Sequence, residues 1–177
     1  TCAKSCWQST IYQAGQSIMT TDVSQLPSAA QQIAQYLIAA GYPQTVCLLP
    51  QSAHTAQQAA DALGCQVAEI AKSIVFRGTQ DDQAVLVITS GVNRVDVKKV
   101  AHITGEITRA DPEFVKQKTG YVIGGVSPLK HATPTQLLLD QDLFKFEITL
   151  YSFNLSKVFA STSFIAYSFP VGMCSAL

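Results

Sequence analysis

Two β-branched runs, residues 72–77 and 84–89, constrain this chain more than any other feature. Lys72-Ser73-Ile74-Val75-Phe76-Arg77 and Ala84-Val85-Leu86-Val87-Ile88-Thr89 are separated by the polar connection Gly78-Thr79-Gln80-Asp81-Asp82-Gln83. Short apolar runs rich in Val, Ile and Thr and bounded by turn residues predict buried strands, and the connection between these two predicts an antiparallel hairpin with a loose turn. Lys72 then stands at the mouth of a buried strand, an unusual place for a charge.

The flanking segments alternate between helical and extended periods. Ile33, Leu37 and Ile38, with Ala29, Ala30 and Ala34, recur at helical spacing over residues 28–40, with Pro27 at the start and Gly41 past the end. Residues 46–50 read as a short strand. Thr55 offers an N-cap for a helix over 56–63 that Gly64 ends, and residues 66–71 read as one further helical turn leading into the strand at Lys72. Beyond the hairpin, Asp96 caps a helix over 97–103 and residues 106–109 return as a strand. Asp111-Pro112-Glu113 opens a helix with proline in its first turn, and Gly120 stops it. Residues 136–140 predict a further strand. Helices and strands mix without a strict βαβ repeat, so the expected fold is α+β (mixed α/β), one curved mixed sheet flanked by helices.

Length and composition agree with one core. The chain has 177 residues, 47% of them apolar and 14% charged, which suits a single compact domain. A formal net charge of zero excludes a protein that coats nucleic acid non-specifically. The charge is unevenly spread: from Lys72 to Lys130 nine basic residues face six acidic ones, whereas the first 71 residues hold Lys4 against Asp22, Asp61 and Glu69. A basic middle suits a partner that brings one phosphate-linked end rather than a long duplex, and on charge alone it suits an ordinary solvated mixed-charge surface equally well. The five cysteines form no C-x-x-C pair and no Cys/His cluster with zinc spacing, so neither a metal nor a disulfide framework is expected, and a reducing cytoplasm is the expected compartment. Residues 1–18 lack a continuous apolar stretch and read as a peripheral extension, leaving residues 19–177 as the domain. From Ile148 to Leu177 only Lys157 is charged, yet no run approaches the ~18–20 apolar residues that a membrane span needs.

The second informative run is Gly124-Gly125-Val126-Ser127-Pro128, where adjacent glycines before a proline let backbone approach a ligand closely. On its own it reads as a tight turn between elements. Taken in order with Ala71-Lys72-Ser73-Ile74-Val75-Phe76-Arg77, Val95-Asp96-Val97-Lys98-Lys99-Val100, Ala110-Asp111-Pro112-Glu113 and Lys118-Thr119-Gly120-Tyr121, it resembles the YbaK/ProX family of free-standing aminoacyl-tRNA deacylases, related to the editing domain of some prolyl-tRNA synthetases. The resemblance runs from about Ala29 to Asp142. It implies trans-editing: hydrolysis of a mischarged ester, Cys- or Ala-tRNA for proline, without a cofactor. The implied partners are the acceptor end of the aminoacyl-tRNA and prolyl-tRNA synthetase, with no membrane; a homodimer is a further expectation.

An aminoacyl ester is already reactive, so such a deacylase needs positioning and oxyanion stabilisation more than a strong nucleophile. Without the family, Lys72 reads as a strand-edge lysine whose stem lies along apolar surface. The resemblance implies instead that it binds the terminal ribose or the acyl oxygens, and that the Gly124-Gly125 backbone donates to the carbonyl, with Val126, Ser127 and Pro128 lining the substrate. For a cysteinyl ester it further implies attack by the substrate's own thiol, and for an alanyl ester attack by water. His131 follows the loop and could donate to the acyl or ribose group, although solvated loop histidines are commoner. Asp140 ends a strand as a partner for Lys72. Lys98 reads first as a helix-surface residue and second as a phosphate contact. The resemblance breaks at Ser152-Phe153-Asn154-Leu155-Ser156, where family members carry a glycine-containing stretch. That departure sustains a rival reading, a module that holds charged tRNA or a synthetase without turnover. An ordinary small-molecule hydrolase would need a nucleophile and base pair that this chain does not assemble.

Overall fold

The computed structural model describes residues 22–39, 46–48, 53–146, 150–153, 158–161 and 175–176. Four helices, α1 (Ser28–Ala39), α2 (Ala56–Leu63), α3 (Val97–Thr104) and α4 (Pro112–Thr119), accompany eight strands. These are β1 (Val46–Leu48), β2 (Ile70–Gly78), β3 (Ala84–Ser90), β4 (Ile107–Arg109), β5 (Thr135–Leu139), β6 (Leu150–Phe153), β7 (Val158–Ser161) and β8 (Ser175–Ala176). They form one mixed sheet in the order β1-β7-β6-β2-β3-β5-β8, with β4 pairing β2. The fold is therefore the expected α+β one.

The hairpin is its centre. β2 and β3 run antiparallel from Ala71 opposite Ser90 to Arg77 opposite Ala84, and β5 lies parallel to β3 on the other side. Every residue of β3 is buried, because side chains alternate between two covered faces. Leu86 and Ile88 join Leu137 and Leu139 of β5 under α1 (Ile33, Leu37) and α4 (Phe114, Val115). Val85, Val87 and Leu138 meet Val100 of α3 on the opposite face. A smaller cluster packs α2 through Ala59, Ala60 and Leu63 against Ile70.

Local chemistry explains the helix ends. Thr55 and Gln58 form a reciprocal capping box at α2, and Gly64 closes it in the left-handed region. Asp96 accepts from the Lys98 and Lys99 N–H groups at α3, and Asp111 accepts from Phe114 N–H at α4. Several boundaries differ from the sequence reading, most of them by one residue. Only Val67–Glu69 form a helical (3-10) turn, and Ile70 and Ala71 already belong to β2, since they pair with Leu150 and Tyr151 of β6. β5 ends at Leu139, and Asp140 instead caps the 3-10 turn Gln141–Lys145. The extension at residues 1–18 and positions 154–156 of the departing stretch lie outside the described residues. Among the described residues no helix is long and apolar enough to cross a membrane.

Candidate functional site

β2 delivers Lys72 opposite Thr89, so both side chains lie on the sheet face that carries α3. The Lys72 Nζ donates to the carbonyls of Gly91 at 3.0 Å and Asn93 at 2.9 Å, both in the turn that follows β3. An ammonium has three N–H donors, which leaves one without a partner among the described residues. Burial lowers the Lys72 pKa, the nearby Arg94 charge lowers it further, and Asp140 partly offsets both.

Asp140 lies behind that turn. Its Oδ2 accepts from Thr89 Oγ1 (2.9 Å), Ser90 N–H (3.1 Å) and Asn93 Nδ2 (2.8 Å), and its Oδ1 accepts from Asp142 N–H (3.0 Å). Burial alone would raise the pKa of this carboxyl, but the donations from Asn93, Asp142, Ser90 and Thr89 together bring it below its ordinary value. Asn93 Nδ2 also reaches Asp142 Oδ2 at 2.7 Å. Lys72 and Asp140 are thus joined through Asn93, whose carbonyl holds the amine and whose amide holds the carboxylate. Sequence reasoning missed Thr89, Asn93 and Asp142. Gly91-Val92-Asn93 reads as an ordinary turn, and no periodicity marks an asparagine whose two ends bond in different directions.

The glycine loop is built separately. Gly125 N–H donates to Val122 O at 3.1 Å, and Gly124, at φ +86°, occupies the corner of this turn that only glycine adopts easily. Gly124 is exposed, with nothing within 4 Å of the position a Cβ would take. Val122 and Ile123 beside it present exposed apolar side chains. Val126, Ser127 and Pro128 are buried beneath the turn, with Val126 in the main core, so these side chains shape the loop from below. Ser127 Oγ accepts from Leu129 N–H at 3.1 Å, and Tyr121 donates its hydroxyl to Leu129 O at 2.9 Å. His131 Nε2 lies 2.6 Å from Ser127 O, which as a carbonyl can only accept, so this nitrogen carries the proton. Burial lowers the His131 pKa, and the bond to Ser127 O partly restores it.

The two parts join the sheet at different points. Lys72 pairs with Thr89 near one end of β3, whereas Thr135, where the loop enters β5, pairs with Ala84 at the other end. Val126 belongs to the core on the α1/α4 face, and the hydrogen bonds of Lys72 do not reach the loop. Lys98 is exposed in the first turn of α3. Among the described residues no group of three or more His, Cys, Asp or Glu could hold a metal ion. Cys65 is not a ready nucleophile, because burial and the neighbouring Glu69 push its thiol up to about 11.

Comparison with known proteins adds a second line of observation. The family model for the aminoacyl-tRNA editing domain matches residues 50–156. The uncharacterised protein YwhH of Bacillus subtilis (strain 168) is 37% identical over 97 residues, which cover 54% of this chain and 61% of YwhH. A crystal structure described as that of a candidate trans-editing enzyme for prolyl-tRNA synthetase superposes with a TM-score of 0.72 at 31% identity, covering 86% of this chain and 98% of the other. A structure from computational grafting of linear epitopes onto scaffold proteins superposes with a TM-score of 0.74 at 29% identity, covering 86% and 97%.

Proposed function

The chain belongs to the aminoacyl-tRNA editing domain family, and on that premise we propose that it is a trans-editing deacylase that removes a wrong amino acid, cysteine or alanine, from the tRNA for proline. The observation that carries this reading is Lys72: a cation lodged at the end of a central strand, fixed by two backbone carbonyls, with one N–H left to donate among the described residues. A strand-edge lysine that merely covers apolar surface would hold its amine in water.

In this reading the substrate ester meets Lys72 through its ribose or acyl oxygen, and a backbone N–H of the glycine turn stabilises the developing oxyanion. Gly125 N–H already closes the turn on Val122, so the donor is Gly124 N–H, at the open and exposed corner. Water attacks an alanyl ester, and the ribose hydroxyl leaves with a proton. A cysteinyl ester is attacked by its own thiol. Val126, Ser127, Pro128 and His131 act by holding the loop in shape, Asp140 by holding the turn on which Lys72 rests, and Lys98 by contacting phosphate. The acceptor end of the tRNA is the partner, with prolyl-tRNA synthetase as the source of the mischarged species and the cytoplasm as the compartment.

The test follows ester loss from Cys-tRNA, Ala-tRNA and Pro-tRNA, all built on the proline tRNA, with Lys72→Ala as control. Rapid loss of one mischarged species, slowed at least tenfold by Lys72→Ala, is the expected result. Full activity of the variant would sink the mechanism. Tight binding of charged tRNA with no ester loss by the native protein would favour a module that holds its ligand without turnover.

A further inference from the structure

The turn that anchors Lys72 carries a second cation that the editing reading has not used. Asn93 O receives the Lys72 amine at 2.9 Å, and the next residue is Arg94, so the guanidinium starts from the point where the ammonium is tied. Arg94 is exposed, and no ion pair among the described residues includes it. Its charge is felt at Lys72, whose ammonium it disfavours. Asp140 only partly offsets Arg94 and burial at Lys72, and its carboxylate is buried and receives Thr89, Ser90, Asn93 and Asp142. Asp96, the next acid along, has its Oδ1 engaged by the cap of α3, while Lys98 and Lys99 are exposed beside it. The surface from residue 94 to 99 therefore faces solvent with three cations and one engaged acid. Three cations against one carboxylate leave an excess of positive charge that attracts an incoming anion.

We propose that Arg94 binds the phosphate on the 5′ side of the substrate's terminal nucleoside, holding the ester-bearing ribose against Lys72. The inference rests on the editing reading, since it takes the acyl ester to lie at Lys72. The chemistry then follows from connectivity: the ribose that carries the ester on one side carries the linking phosphate one carbon beyond its ring. A ligand whose acyl end meets Lys72 thus brings an anion to the neighbouring residue. A guanidinium is the suitable partner, because its planar fork meets two phosphate oxygens at once.

Two measurements test this. In equilibrium titrations of the native protein, adenosine 5′-monophosphate is expected to bind roughly tenfold more tightly than adenosine, the size of one charge-assisted contact. Arg94→Ala is expected to remove that preference, and Arg94→Lys to keep part of it. In kinetics, the ratio of kcat/KM for Ala-tRNA over the alanyl ester of adenosine is expected to fall about tenfold in Arg94→Ala, mainly through KM. Equal binding of the two nucleosides, no binding of either, or a preference that survives in Arg94→Ala would overturn the proposal. A phosphate preference that depends on Arg94 in a protein that hydrolyses neither ester would leave the anion site standing and remove the editing reading instead.

Discussion

Asp140 is the residue on which most of the site geometry depends, and its charge is set by a contest between burial and hydrogen bonding. The hydrogen bonds prevail, so its folded pKa lies below the ordinary carboxyl value. A carboxyl depressed by folding contributes stability above its unfolded pKa and loses it as the pH falls through the folded value. Thr89→Val or Asn93→Ala removes one donor and is expected to move the acid unfolding midpoint to higher pH, with about 1–3 kcal/mol lost at neutral pH. Acid denaturation followed by circular dichroism checks this; unchanged midpoints in both variants would mean that these donors do not hold the carboxylate. Lys72 carries the complementary expectation. Burial and Arg94 place its pKa below that of an ordinary lysine, so deprotonation, and with it the loss of the cation, comes earlier on the alkaline side. The enzyme-dependent rate of ester loss, after subtraction of spontaneous hydrolysis, should decline accordingly. Arg94→Ala should move that decline to higher pH, and a decline unmoved by the variant would refute the coupling.

At the level of elements, two turns hold the site and they use glycine differently. Gly91 sits where the turn after β3 passes close to the Val67–Glu69 turn, and a Cβ there would run into the Val67 carbonyl oxygen, which is backbone and cannot step aside. Gly124 has open space, but its φ of +86° is unfavourable for any residue with a Cβ. Gly124→Ala is therefore expected to cost about 1 kcal/mol of stability through local strain. Gly91→Ala should cost more and also shift the carbonyls that receive Lys72. Thermal melting of both variants orders the two costs, and a Gly91→Ala protein as stable as the Gly124→Ala one would contradict the close approach. The same pair shows what can be read in advance: adjacent glycines before a proline announce a turn, whereas nothing local to Gly91 reveals which backbone will pass beside it.

For the whole molecule, β3 is buried along its full length, whereas β2, β4 and β5 include residues that are only partly buried or exposed. The main cluster under α1 and α4 and the second under α3 share that strand, whereas α2 packs through its own small cluster. Native-state hydrogen exchange should find the β3 amides opening only with global unfolding and the α2 amides opening earlier; protection of α2 equal to that of β3 would mean one indivisible unit. The sequence by itself determined the hairpin, the four helices and the N-caps Thr55, Asp96 and Asp111, because these depend on residues within a turn or two of one another. It also carried the family, which the matched residues show. Strand order, the extension of β2 back to Ile70, and the junction in which Asn93 ties Lys72 to Asp140 were decided only by the tertiary structure. Each of these joins groups that are distant in the chain, 47 residues apart for Asn93 and Asp140, and a hydrogen bond across that separation leaves no periodicity for the sequence to display.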